Sequence, residues 1–120
     1  MITIKPRPVQ FSAAHHLPGM PDGHRCRRMH GHTYKVSIEV TGELVNGMLP
    51  DYERITEIVK SATDLLDHLT LNEIAGLENP TTELLACWVA ARVQPDLLAV
   101  GAALLAVEVD EGGHLCRWTP

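Results

Sequence analysis

Between His30 and Gly42 the chain alternates between apolar and polar positions. Tyr34, Val36, Ile38 and Val40 fall on one side, and Lys35, Ser37, Glu39 and Thr41 on the other, a period of two that predicts a strand with one buried face. An earlier stretch, Ile2 to Ala14, reads as a first strand whose start is placed at an edge, or broken, by Pro6 and Pro8. From about Asp51 to Leu66 the period changes: Ile55, Ile58, Val59, Ala62 and Leu66 recur at helical spacing, with Asp51 as the N-cap. A second helix opens in the run Asn79 to Glu83, where Asn79 or Thr81 caps it and Pro80 suits the first turn. It continues through Leu84, Leu85, Trp88, Val89 and Ala91 until Pro95. Two further strands, over Gly101 to Val109 and His114 to Trp118, turn at Gly112-Gly113. The order is β-β-α-α-β-β, and the simplest closure is an α+β domain with two helices on one face of a small antiparallel sheet.

Composition narrows this further. The 120 residues fit a single domain spanning 1–120. Aromatics make up 4% of a chain that is 45% hydrophobic, so aliphatic side chains must fill the core. At this size much apolar surface stays exposed, which points to a homo-oligomer. Ten basic against 15 acidic residues give a net charge of −5, which argues against a general nucleic-acid grip. No apolar run approaches a membrane span, and the N-terminus has no signal-peptide hydrophobic segment. Three cysteines, at 26, 87 and 116, do not make a disulfide framework. The expected compartment is the reducing cytoplasm, with neither a nucleic-acid nor a membrane partner.

The chemistry gathers at one end of the predicted strand pair. His15 and His16 end the first strand, while His30 and His32 open the second. A spacing of two points His30 and His32 to one face, and a hairpin would bring His15 beside them. Three converging imidazoles suit a catalytic zinc site with its fourth position open, or another divalent ion, whereas a histidine-rich surface turn is the bland reading. His16 points to the opposite face from His15. Cys26 lies in a polar loop among Arg25, Arg27 and Arg28, where positive charge favours the thiolate. It could serve as nucleophile, general base or fourth metal ligand. Asp67 and His68 follow the first helix, as a carboxylate orienting an imidazole or as a polar helix exit. Glu108 interrupts the apolar run Leu104 to Val109. It reads as an anchor for the N–H edge of a flat heterocycle, as a residue turned to solvent, or as the partner of an arginine.

The segments FSAAHHLPG, GHRCRRMHGHTYKVSIEVTG, LPDY, LLDHLTLNEIAGLENPTTE and AVEV together resemble the 6-pyruvoyltetrahydropterin synthase family from Phe11 to Glu108. The short spacing from Cys26 to His30 resembles its bacterial carboxytetrahydropterin branch, which serves queuosine biosynthesis. The resemblance implies a tunnelling fold, in which sheets of several subunits join into a barrel, with sites between subunits of a trimer or hexamer. It implies one Zn2+ per subunit on His15, His30 and His32, and catalytic roles for Cys26, Asp67 and His68. It also implies that Glu108 anchors a pterin ring. The implied reaction is a lyase reaction on 7,8-dihydroneopterin triphosphate, a small-molecule pterin triphosphate. Arg25, Arg27, Arg28 and Lys35 are candidates for attracting the triphosphate. Two departures stand out: His16 replaces an arginine frequent in that branch, and Asp110 and Glu111 make the segment after Glu108 unusually acidic.

Overall fold

The structure is a computed structural model describing residues 1–120. The elements run β1 (Thr3–Ile4), β2 (Val9–His15), β3 (His30–Thr41), α1 (Tyr52–Thr63), α2 (Thr82–Ala99), β4 (Ala103–Glu111) and β5 (His114–Trp118). They form one five-stranded antiparallel sheet with two helices on one face. The expected first strand is two pieces. Pro6 and Pro8 offer no N–H to a ladder, so the chain leaves the sheet between β1 and β2. Both pieces pair with β3: Ile4 opposes Val40 near its end, and Val9 through His15 oppose Val36 through His30 near its start. β4 lies on the other side of β3, and β5 pairs with β4.

Helix α1 begins where the sequence places it. The Asp51 carboxylate accepts the Arg54 N–H at 2.9 Å, and the predicted stripe of Ile55, Ile58, Val59, Ala62 and Leu66 is buried. The α-helix stops at Thr63, and tighter turns carry the chain to His68, with Leu66 N–H donating to the Thr63 carbonyl. Thr81 caps α2 through its hydroxyl, and Pro80 lies outside the helix. The expected stop at Pro95 does not occur, because α2 continues to Ala99. An interior proline costs about 3 kcal/mol. The turn beyond Pro95 buries Leu97 completely, and burying a leucine contributes about 1.5–3 kcal/mol. That turn is closed by Val100 and Ala102 N–H groups donating to the Leu97 carbonyl.

Tyr34, Val36, Ile38, Val40, Val107 and Val109 face the helices and meet Ile55, Val59, Leu85, Val89 and Leu97 in the core. The opposite face carries no helix and is polar, with Ser12, Thr33, Lys35, Ser37, Glu39, Glu108 and Arg117. No helix is long and apolar enough to cross a membrane.

Candidate metal and active site

Strand pairing assembles the histidines. His15 ends β2 directly opposite His30, and His32 is two residues further along the same face of β3. The ring centroids are 4.6, 5.1 and 4.9 Å apart. One ligand nitrogen from each ring lies within 4.8 Å of the other two, and this is the chain's one group of three or more potential ligands so gathered. His15 Nδ1 lies 2.9 Å from the Pro80 carbonyl and His30 Nδ1 lies 2.7 Å from the Arg28 carbonyl. A carbonyl only accepts, so both imidazoles carry hydrogen on Nδ1 and keep a lone pair on Nε2. Those two Nε2 atoms are 3.0 Å apart. Ligand nitrogens of a tetrahedral zinc stand roughly 3.3 Å apart, given Zn–N distances of about 2.0–2.1 Å. Burial holds the His15 pKa below its ordinary value, which keeps the ring neutral as a ligand requires. The donor set therefore fits zinc with a fourth position free.

A carboxylate that the sequence marked only for its acidity, not for its place, stands beside this cluster. Glu111 opposes Tyr34 across the β3–β4 ladder, and its Oε1 is 3.2 Å from His32 Nε2. A cation on His32 must therefore use Nδ1 or displace this contact. Tyr34, at the base of the cluster, is fully buried, and burial followed by the Glu111 charge pushes its phenol well above the ordinary range. Strand alternation was the available signal: Glu111 is two residues beyond Val109, on the core face. Glu108 is out of step with both. It opposes Ser37 and Arg117 on the helix-free face, away from the histidines. Its carboxylate is held by Lys5, by Arg117 Nε at 3.6 Å and by the Ser37 hydroxyl at 3.4 Å. The partly buried charge is thus satisfied within the chain, in the arginine-paired form the sequence allowed.

Cys26 sits in a short 3-10 turn, Arg25–Arg27, where its N–H donates to His24 Nδ1 and its carbonyl accepts from Leu17 N–H. It is partly buried and does not join the three-histidine group, which gives no support to a fourth-ligand role. Arg27 stitches this loop by donating to the Pro18 and Met20 carbonyls, each at 2.7 Å. Arg25, Arg28 and Lys35 are exposed, and their side chains make no hydrogen bond or ion pair within the chain. The backbone N–H and carbonyl of His16 are tied to Asn72, and His114 is exposed.

Asp67 and His68 do form a pair. Asp67 Oδ1 accepts from Ser12 N–H at 3.0 Å and from His68 Nδ1 at 2.9 Å. These contacts, the Ser12 N–H first, hold the Asp67 carboxyl below its usual pKa. The stability they contribute is present above the ordinary carboxylate pKa and is lost as pH falls through the depressed value. His68 is 82% exposed and lines an open pocket of ≈ 480 Å³ with Ser12, Gly31, His32 and Thr33, among others. Cys26 does not line that pocket. The backbone of His68 has φ +60, which costs a non-glycine residue about 1–2 kcal/mol. His68→Gly relieves that cost but loses the Nδ1 bond to Asp67 and adds unfolded-chain freedom of about 0.5–1 kcal/mol, so the urea midpoint is expected to stay near that of the wild type while the imidazole is removed. A lower midpoint would show that the side chain serves the fold.

A model of the family described as 6-pyruvoyl tetrahydropterin synthase matches residues 4–117. A 6-carboxy-5,6,7,8-tetrahydropterin synthase of Synechocystis sp. is 34% identical over 94 residues, covering 70% of this chain and 69% of that protein. A dihydroneopterin monophosphate aldolase of Pyrococcus furiosus is 36% identical over 69 residues, covering 58% of this chain and 59% of that protein, less than two thirds of its length. The structure of a Caenorhabditis elegans 6-pyruvoyl tetrahydropterin synthase superposes with a TM-score of 0.82 at 22% identity, over 99% of this chain and 95% of that one. At that identity the likeness is one of fold.

Proposed function

The chain belongs to the 6-pyruvoyl tetrahydropterin synthase family, and from that premise we propose that it is a zinc-dependent 6-carboxy-5,6,7,8-tetrahydropterin synthase. The reaction takes 7,8-dihydroneopterin triphosphate and one water to 6-carboxytetrahydropterin, acetaldehyde and triphosphate, as a step of queuosine biosynthesis. The observation that carries the reading is the set of three histidines with two tautomers already fixed for Nε2 ligation. His15, His30 and His32 would hold zinc, which supplies Lewis-acid stabilisation of negative charge developing on the substrate side chain.

The remaining roles fall to the chain's own groups. Cys26, as thiolate, takes a proton from the side chain of the pterin. His68, its Nδ1 held by Asp67, exchanges a proton at Nε2 during the tautomerisations that follow. A β4 carboxylate holds the N–H edge of the ring. The family resemblance gives that role to Glu108. Within one chain Glu111 has the better placement, since it faces the histidines, whereas Glu108 is engaged by Lys5 and Arg117 and could reach the ring only across a subunit interface. Arg25 and Arg28 are free to attract the triphosphate, and Arg27 is spent on its own loop. No redox cofactor is required, because the ring is reduced as the side chain is oxidised.

Cys26 does not line the open pocket that the exposed His68 lines, which supports a site completed between subunits of a trimer or hexamer. Mixing inactive Cys26→Ala and His68→Ala proteins, unfolding and refolding them together, is expected to restore part of the activity, because some interfaces then carry both wild-type groups. No recovery would place the whole site in one chain.

The direct test is incubation of the zinc-loaded protein with 7,8-dihydroneopterin triphosphate, identifying every product by mass. Carboxytetrahydropterin with stoichiometric acetaldehyde supports the proposal. A pyruvoyl product assigns the sister lyase activity. A second reading, aldol cleavage of the monophosphate, rests on the similarity to the Pyrococcus aldolase. It is tested by offering the monophosphate alongside.

A further inference from the structure

We propose that the Tyr34 hydroxyl is a positioning group for the metal centre, acting through His15. Tyr34 has no exposed surface and stacks on Phe11, with centroids 5.0 Å apart and planes at 13°. It is two residues beyond His32 on the same face of β3, and its ring meets those of His15 and His32 edge-on at 6.2 and 5.8 Å. Phenylalanine would fill that space without burying a hydroxyl, which costs free energy unless a partner is found. The one hydrogen-bond partner the hydroxyl has is His15 Nδ1, at 3.3 Å.

That nitrogen already donates to the Pro80 carbonyl, so the phenol oxygen takes a second share of the same hydrogen. Two acceptors on Nδ1 restrict rotation of the imidazole about its Cβ–Cγ bond more tightly than one. The lone pair on Nε2 is thereby kept on the line toward His30. Pro80 is placed for this task by its position just ahead of the α2 cap, and Tyr34 by strand alternation. The ring of His15 is thus held from two separate places, the segment just before α2 and strand β3.

This inference rests on the metal reading and extends it to a residue outside the ligand set. The test is Tyr34→Phe, which keeps the aromatic stack, measured by zinc competition against a chromogenic chelator. It is paired with the visible spectrum of the cobalt-loaded protein and the melting temperature of the metal-free protein. The expected result is a roughly tenfold or greater loss of zinc affinity, in the range for partners that orient a ligating histidine. A shifted cobalt band and an unchanged metal-free melting temperature should accompany it. Wild-type affinity with an unchanged cobalt spectrum would overturn the proposal. A loss of affinity matched by a fall in metal-free melting temperature would also overturn it, since Tyr34 would then serve packing alone. Wild-type protein that binds neither zinc nor cobalt would instead remove the metal reading on which it stands.

Discussion

Cys26→Ala is expected to lower turnover by about 10²–10⁴-fold while the protein keeps its zinc. The two halves of this expectation come from different observations. The thiol lies in a loop among Arg25, Arg27 and Arg28, and a positioned general base contributes a factor of that size. The same thiol stands outside the three-histidine group, so its removal leaves every proposed ligand in place. The turn that holds it does not use the side chain: Cys26 N–H and carbonyl make its contacts to His24 and Leu17. Truncation to alanine therefore keeps the loop. Metal analysis and turnover of the same preparation decide the matter. Loss of zinc together with activity would make Cys26 a ligand and the centre a closed one. Full activity with zinc present would assign proton removal to another group.

The histidine cluster was legible in the sequence because it depends on three simple facts: alternation along β3, a hairpin between β2 and β3, and histidines at their adjoining ends. The hairpin was a supposition in the sequence, and the observed register sets His15 against His30. Helix α1 was legible through its apolar stripe and its Asp51 cap, and α2 through its Thr81 cap and an apolar run of which Leu84 and Ala91 are exposed. Pro95 misled because local propensity was weighed without the tertiary burial of Leu97. Glu108 drew attention as a charge inside an apolar run. Its partners come from residues 5, 37 and 117, far apart in the chain, and no local pattern announces them. Alternation did signal where the neighbouring carboxylate points: Val107, Val109 and Glu111 share one face, and a charge at the end of that row adjoins the histidines. Asp67 and His68 were visible as neighbours, but the left-handed φ of His68 and the Ser12 bonds arise only when α1 returns to the edge of β2.

Glu111→Gln is expected to lower kcat/KM by about 10²-fold, whereas Glu108→Gln should leave it within a few-fold. A carboxylate gripping two N–H groups of a flat heterocycle makes charge-assisted bonds, each contributing about 1.5–3 kcal/mol. The amide has the same shape but loses the charge and turns one acceptor into a donor facing a donor. Glutamine at 111 also no longer competes as an anion for His32 Nε2, so zinc affinity should be equal or higher. A fall in activity therefore cannot be traced to lost metal. Glu108→Gln instead weakens the pairing of Lys5 and Arg117 on the helix-free face. Lys5 is 48% exposed, so the cost is at the level of a surface pair, about 0.2–1 kcal/mol, read as a small drop in the urea midpoint. The opposite pattern, with activity lost in Glu108→Gln and kept in Glu111→Gln, would mean that the ring is held from the helix-free face. Since His30 and His32 face the other way in the same chain, zinc and anchor would then have to come from different subunits. The pair of substitutions thus decides which face of β4 meets the substrate, and with it how the subunits must be arranged around one active site.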